Sequence, residues 1–173
     1  LIIGGSQGAD FFCDVVPEAI AKLPEMIRCK FVIQHQVSEN RAEEVRAKYM
    51  NAKVKMVETQ PFFMDIGSRM HNADLVIARS GASTVSDIAC MRVPAIFIPL
   101  ASSKDNHQYH NAQLLADSGM AIVVEEKDID IKNIGMNGNK EEDSEEHQDL
   151  AKVLKSILVD GELQKMRKKA REK

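Results

Sequence analysis

Ala78-Arg79-Ser80-Gly81-Ala82-Ser83-Thr84-Val85-Ser86-Asp87 is the stretch on which the reading of this chain turns. An apolar run, Asp74-Leu75-Val76-Ile77-Ala78, precedes it, and a helix-like run ending near Met91 follows. The pattern is a buried strand entering a Ser/Gly turn that opens a helix. Gly81 lets the backbone come close to a ligand and tolerates positive φ. The first helical turn, Ala82 to Val85, leaves N–H groups unpaired at the positive end of the helix dipole. Such a terminus holds phosphate without a metal. Asp87, about one and a half turns further on, offers an acceptor to a sugar hydroxyl of the same ligand. A Ser/Thr-capped helix after a strand accounts for the same residues. On this stretch alone both readings stand.

The flanking sequence repeats the theme. Leu1-Ile2-Ile3 reads as a strand, then Gly4-Gly5-Ser6-Gln7-Gly8-Ala9 as a turn, then a helical pattern through Leu23. The glycine spacing is not the GxGxxG dinucleotide fingerprint, but paired glycines before Ser suit close approach to a phosphate. A tight strand-to-helix turn explains them equally. Lys30 to Gln36 predicts a strand, Ser38 to Tyr49 a charged amphipathic helix, and Lys53 to Val57 an alternating strand. Phe62 and Phe63 follow that strand, placed either to pack in the core or to wall a flat-base pocket with the Phe63 backbone reading the base edge. Val93 to Pro99 is a strand bounded by prolines. Asp105 is the expected N-cap of a helix running to about Asp117, and Gln108 and Asn111, three apart, share a face near its start. Their amides can exchange hydrogen bonds with sugar hydroxyls. Gly119 ends that helix and Met120 to Val124 is the last strand. Residues 135–146 are polar, acidic and without period, a loop pattern. Residues 147–173 carry two helices, with Leu150, Val153, Leu154, Ile157 and Leu158 on one face.

Strands alternating with helices predict an α/β fold, a parallel sheet with helices on both faces. In such sheets ligands bind beyond the carboxyl ends of the strands. The polar clusters after Ile3, Val57, Ala78 and Pro99 all fall on that edge, which points to one shared site.

Composition narrows the function. With 173 residues, 44% of them hydrophobic, the chain can build one sizeable core. A net charge of −3 argues against an extended nucleic-acid surface, which needs clustered Lys and Arg. The basic run Lys165 to Lys173 reads as a solvated helix face. Cys13, Cys29 and Cys90 lie far apart with no CxxC, which fits reduced, buried thiols and neither disulfides nor zinc. His107 and His110 share i,i+3 spacing but lack the company of an HExxH motif, and no metal site is expected. No apolar run reaches membrane-spanning length, and no secretory signal pattern is read at the start. Leu1 falls inside a strand and is not Met, so the expectation is a piece of a longer protein.

Taken together, Gly4-Gly5-Ser6-Gln7-Gly8-Ala9, Arg79-Ser80-Gly81-Ala82-Ser83-Thr84 and His107-Gln108-Tyr109-His110-Asn111-Ala112 resemble the C-terminal domain of the MurG family. These are the peptidoglycan N-acetylglucosaminyltransferases of glycosyltransferase family 28. The resemblance covers nearly all of residues 1–173, with 135–146 as an insertion. It implies the Rossmann-like, UDP-N-acetylglucosamine-binding half of a two-domain GT-B enzyme, whose N-terminal half holds the acceptor site and the base. It implies inverting transfer to lipid I, no cofactor, and peripheral attachment of the full-length protein to the cytoplasmic face of the bacterial inner membrane. By the same resemblance Phe62 and Phe63 flank the uracil, with Phe63 offering backbone hydrogen bonds, Ser6 with the turn Ala82, Ser83, Thr84, Val85 and Ser86 holds the diphosphate, and Ser80 and Gly81 belong to the same substrate-binding set. Asp87 meets the ribose, and Gln108 and Asn111 read the sugar. Two departures are visible: the family usually has Glu at Asp87, and paired glutamines where this chain has His107-Gln108.

Two other functions compete with this one. A split transferase would dock the same half on a membrane-bound partner, as in the eukaryotic dolichol-linked N-acetylglucosaminyltransferase. A nucleotide-sugar-binding module would bind the donor without transfer. An NAD-type Rossmann domain fits poorly, because no acidic residue ends the second strand, Phe31-Val32-Ile33-Gln34.

Overall fold

The computed structural model describes residues 1–129 and 149–172, and of residues 6–9 the backbone alone. The acidic stretch 135–146 therefore lies outside the described residues. In chain order the elements are β1 (Ile2–Ile3), α1 (Gly5–Ala21), α2 (Glu25–Arg28), β2 (Val32–Gln36), α3 (Ala42–Asn51), β3 (Met56–Gln60), α4 (Ile66–Asn72), β4 (Val76–Ala78), α5 (Ala82–Met91), β5 (Ala95–Phe97), α6 (His107–Ala116), β6 (Ala121–Val123), α7 (Leu150–Leu158) and α8 (Glu162–Arg171). The strands form one sheet in the order β3-β2-β1-β4-β5-β6. Every pairing is parallel, as in Ile2 with Ile77 and Ile77 with Ile96. The order reverses at β1, whose neighbours are β2 on one side and β4 on the other.

Both faces of the sheet are covered, so its central strands are apolar throughout instead of alternating. β4 and β5 are buried at every position. On one face α1, α3 and α7 enclose Phe12, Val16, Tyr49, Leu154 and Ile157. On the other, α5 and α6 pack Val85, Ile88, Ala112 and Leu115 against Val76, Ala78 and Phe97. Pro17 lies inside α1 and cannot donate to the Cys13 carbonyl one turn back. Lys48 Nζ of α3 donates to that oxygen instead, at 3.3 Å. Arg41 ties the two helices further, donating to Asp14 Oδ1 at 2.6 Å and Glu44 Oε1 at 2.7 Å.

The expected strand at 53–57 forms three residues later. Lys53 takes a left-handed φ of 56° as it leaves α3, and Val54 is buried under that turn. Pairing of Val32 with Met56 through Gln36 with Gln60 then sets the strand. Asp105 is not the cap of α6 either. Asp105 and Asn106 take φ of 50° and 54°, a conformation short Asx side chains tolerate, and Asn106 directly precedes the helix.

Candidate functional site

A cleft of about 470 Å³ opens beyond the carboxyl ends of β1 and β4, where the strand order reverses. Parallel α/β sheets bind ligands at this place, because the helices on either side diverge there. Its floor is the turn Ile3-Gly4-Gly5, and one wall is Gly81 with Ser83, Thr84 and Asp87 of α5. Phe62, Phe63 and Ile66 form the opposite wall, and Leu100 and Gln108 close the far end.

α5 meets the cleft with its first turn. Gly81 precedes it at φ −60° and ψ 150°, and no side chain caps the helix. The Val85 N–H is taken by the Gly81 carbonyl at 3.0 Å. The N–H groups before it remain the donors of an uncapped, ten-residue helix. Gly81 therefore does not use a left-handed conformation, contrary to one of the two reasons the sequence offered for it. What its missing side chain provides is room, since a Cβ added there meets no atom within 4 Å. Between the two cleft glycines Gly5 and Gly81, it is Gly5, at φ +65°, that needs the left-handed region.

The other candidate residues divide. Ser83, Thr84, Asp87, Phe62 and Gln108 line the cleft, and Ser83, Asp87 and Phe62 are exposed. Ala82 and Ser86 are exposed but do not line it, and Val85 points into the core at 8% exposure. Ser80 is fully buried, and its Oγ has no hydrogen-bond partner among the described residues. Asn111 faces the turn and not the cleft, its Nδ2 donating to the Ser80 carbonyl at 3.2 Å. Gln108 commits its Oε1 to the Leu100 N–H at 3.0 Å, which leaves its amide N–H groups for a ligand. Ser6 lies in the first turn of α1, next to the cleft residue Gly5, but its side chain lies outside the described residues. Phe62 and Phe63 part company: the Phe62 ring is 62% exposed, whereas the Phe63 ring is 3% exposed and belongs to the core.

Two residues carry the site without having been singled out from the sequence. Gln36 ends β2 and bridges two walls: its Oε1 accepts from Gly5 N–H at 3.3 Å and its Nε2 donates to the Pro61 carbonyl at 3.1 Å. Its position, where a dinucleotide domain has an acid, was the available signal. Arg79 is buried beneath the turn, its Nη1 donating to the Ile98 and Pro99 carbonyls at 3.0 and 3.3 Å. It pairs with Glu126 and lies over the Phe12 ring at 4.8 Å. Burial lowers the Arg79 pKa, and the Glu126 carboxylate opposes that shift. Glu126 Oε2 also accepts from the Ala101 N–H at 3.0 Å, so the pair fixes the loop leading to Gln108. Among the described residues no group of three His, Cys, Asp or Glu is placed to hold a metal ion.

Fold and cleft together define a Rossmann-like α/β domain with an open cleft at the switch point of a parallel sheet. The sequence model of the glycosyltransferase family 28 C-terminal domain matches residues 1–172, and the chain belongs to that family. A protein of Wolbachia sp. subsp. Brugia malayi is 42% identical over 160 residues, covering 92% of this chain and 46% of the relative. It is named UDP-N-acetylglucosamine–N-acetylmuramyl-(pentapeptide) pyrophosphoryl-undecaprenol N-acetylglucosamine transferase. The protein of that name from Caulobacter vibrioides is 41% identical over 131 residues, 76% of this chain and 36% of its own length. The crystal structure of Acinetobacter baumannii MurG matches at TM-score 0.76 and 30% identity, over 99% of this chain and 46% of that one. Phytolacca americana UGT2, at TM-score 0.65 and 16% identity, shares the fold. The chain spans about half or less of the length of these relatives.

Proposed function

We propose that this chain is the donor-binding part of an inverting glycosyltransferase. Its reaction would move N-acetylglucosamine from UDP-N-acetylglucosamine to lipid I, giving lipid II in peptidoglycan synthesis. The observation that carries the reading is the uncapped first turn of α5, open to the cleft at the switch point. Family membership supports it independently.

In this reading the diphosphate docks on the amides after Gly81, with Ser83 and Thr84 hydroxyls beside it and the Gly4-Gly5 turn and Ser6 across from it. The acceptor hydroxyl attacks the anomeric carbon and UDP departs from the opposite face. Negative charge grows on the leaving diphosphate, and amides already aimed at it stabilise that charge without reorganising. Asp87 accepts from the ribose; its side chain is one methylene shorter than Glu, a reach shorter by roughly 1.5 Å. Gln108 reads the sugar, and Asn111 acts by holding the Ser80 carbonyl. The base and the acceptor site belong to the other half of the enzyme, through which the full-length protein associates with the cytoplasmic face of the membrane.

Isothermal calorimetry of the chain with UDP-N-acetylglucosamine, in EDTA and then in magnesium, tests the reading. Equal binding in both is expected. No binding, or binding only with magnesium, overturns it. Transfer to lipid I is then assayed with the full-length protein.

A further inference from the structure

The segment 61–65, whose Phe62 and Phe63 stand in the wall of the cleft, is pinned from behind. Arg69 of α4 donates from Nη1 and Nη2 to Glu58 Oε2 and Oε1 at 2.7 and 3.0 Å, and from Nε to Asp65 Oδ1 at 2.7 Å. Its guanidinium carbon stands 4.4 Å from the centre of the Phe63 ring. Asp65 is the residue before α4, where an aspartate ordinarily accepts from the helix's own first amides. It makes no such bond, and its carboxylate is turned to Arg69 instead. The hydrogen bonds from Arg69 hold both the Glu58 and Asp65 carboxyls below their ordinary range. At the other end of the segment Gln36 Nε2 holds the Pro61 carbonyl.

Fixing the Phe63 ring inward decides what remains for a ligand. The Phe62 ring is left exposed, the Phe63 N–H takes no hydrogen bond among the described residues, and the Phe63 C=O, at the start of the turn over Met64 and Asp65, keeps a second lone pair to accept with. One flat apolar face and one donor–acceptor pair are the elements that stack on and read the edge of a planar base. Arg69 itself lines a separate cavity of about 640 Å³ at the other end of the strands, and does not line the donor cleft. Its influence on a nucleotide therefore passes through Phe63.

We infer that Arg69 is a positioning residue for base recognition: by clamping Phe63 and Asp65 to Glu58 it presents the Phe62 ring and the Phe63 backbone to the nucleobase. The inference rests on the donor-binding reading above. Pre-organising a loop in its bound form lowers the cost of ordering it on binding. A guanidinium with only a structural role would weaken all ligands together. A positioning role falls on the base and spares the diphosphate.

Calorimetry with UDP, ADP and inorganic pyrophosphate, on the parent and on folded Arg69→Leu and Arg69→Lys, separates the two. The expected result for Arg69→Leu is about tenfold weaker UDP binding, a UDP-over-ADP preference reduced in proportion, and pyrophosphate affinity within about twofold of the parent. Arg69→Lys, which keeps the charge but not the bidentate fork, falls between. An unchanged UDP-to-ADP ratio, or equal losses for UDP and pyrophosphate, overturns the inference and leaves the donor reading intact. A parent that binds no UDP overturns both. Should Arg69→Leu not fold, Glu58→Gln is measured in the same way, and an unchanged ratio there overturns the inference.

Discussion

Replacing Gly81 with serine sets the stability of α5 against its use as a phosphate site. The backbone at Gly81, φ −60° and ψ 150°, is open to any L-residue and suits a residue that caps a helix. An added Cβ meets no atom within 4 Å, so the folded state accepts it without strain. Reduced freedom of the unfolded chain contributes about 0.4–1 kcal/mol, as for other strain-free glycine replacements. A serine cap adds a few tenths of a kcal/mol over glycine. The sum is about 1 kcal/mol, and for a chain of this size Tm should rise by about 2–4 °C. The introduced hydroxyl would do this by accepting from an amide of the first turn, one of those assigned to the diphosphate. Loss of one amide bond to a charged group is worth about 1.5–3 kcal/mol, so UDP should bind at least about tenfold more weakly. Urea unfolding and calorimetry on Gly81→Ser measure both quantities. A variant that is more stable yet binds UDP as the parent does would mean those amides are not the site. A variant destabilised by more than about 1 kcal/mol would mean the turn is not as open as its geometry implies.

Other consequences are equally direct. Asp87→Ala should weaken UDP by roughly 1–3 kcal/mol; 2′-deoxy-UDP should lose as much on the parent and little on the variant, and additive losses would detach Asp87 from the ribose. Burial pulls the His35 imidazole down to about 3, so the folded protein keeps it neutral where the unfolded chain, with its ordinary 6.5, takes up a proton. Stability from this group is complete above the unfolded value and falls as pH drops from about 6.5 toward 3, by up to about 1.4 kcal/mol per unit. Urea titrations of His35→Gln should show a flatter acid slope than the parent between about pH 6 and 5, and an identical slope would assign it to other groups. Leu154→Ala, at a side chain 1% exposed between α7 and α1, should cost about 2–5 kcal/mol by denaturant unfolding.

The architecture was legible because parallel sheets leave a simple trace. Val76-Ile77-Ala78 and Ala95-Ile96-Phe97 are short apolar runs covered on both faces, and each is followed by a helix whose buried positions recur at helical spacing. Edge strand β3 was harder to place. Its positions run from exposed to half-buried, so hydrophobic alternation carries little information, and pairing with β2 sets the register. The turn 80–87 stands out in the sequence as a candidate site because its chemistry is local: backbone amides, a glycine and a carboxylate within one helix start. Gln36 and Arg79 act across 25 and 19 residues of sequence, on Pro61 and Ile98, and no local pattern announces such partners. The two adjacent phenylalanines were open between core and pocket. They divide the roles, one ring inward and one outward, because Arg69, six residues later, gives the Phe63 ring a cation to pack against.

Helix starts carry the same argument into energetics. α7, remote from the cleft, is capped: Asp149 Oδ1 accepts from the Ala151 N–H at 3.0 Å. The other helices, α2, α3, α4, α6 and α8 among them, begin without a side-chain cap, and what sets α1 and α5 apart is that their starts, after Gly4 and Gly81, open on the cleft. A glycine at the start forgoes a few tenths of a kcal/mol that Ser or Asp would supply at the same position. At Gly81 the backbone would accept either residue, so conformation does not explain the glycine. A capping side chain would instead compete, from within the protein, for the donors that a bound anion uses. Two such starts, brought to one cleft by the reversal of strand order at β1, place two positive helix ends around the same volume. A dianionic diphosphate bridging them would recover the forgone stabilisation on binding, without any metal to neutralise it.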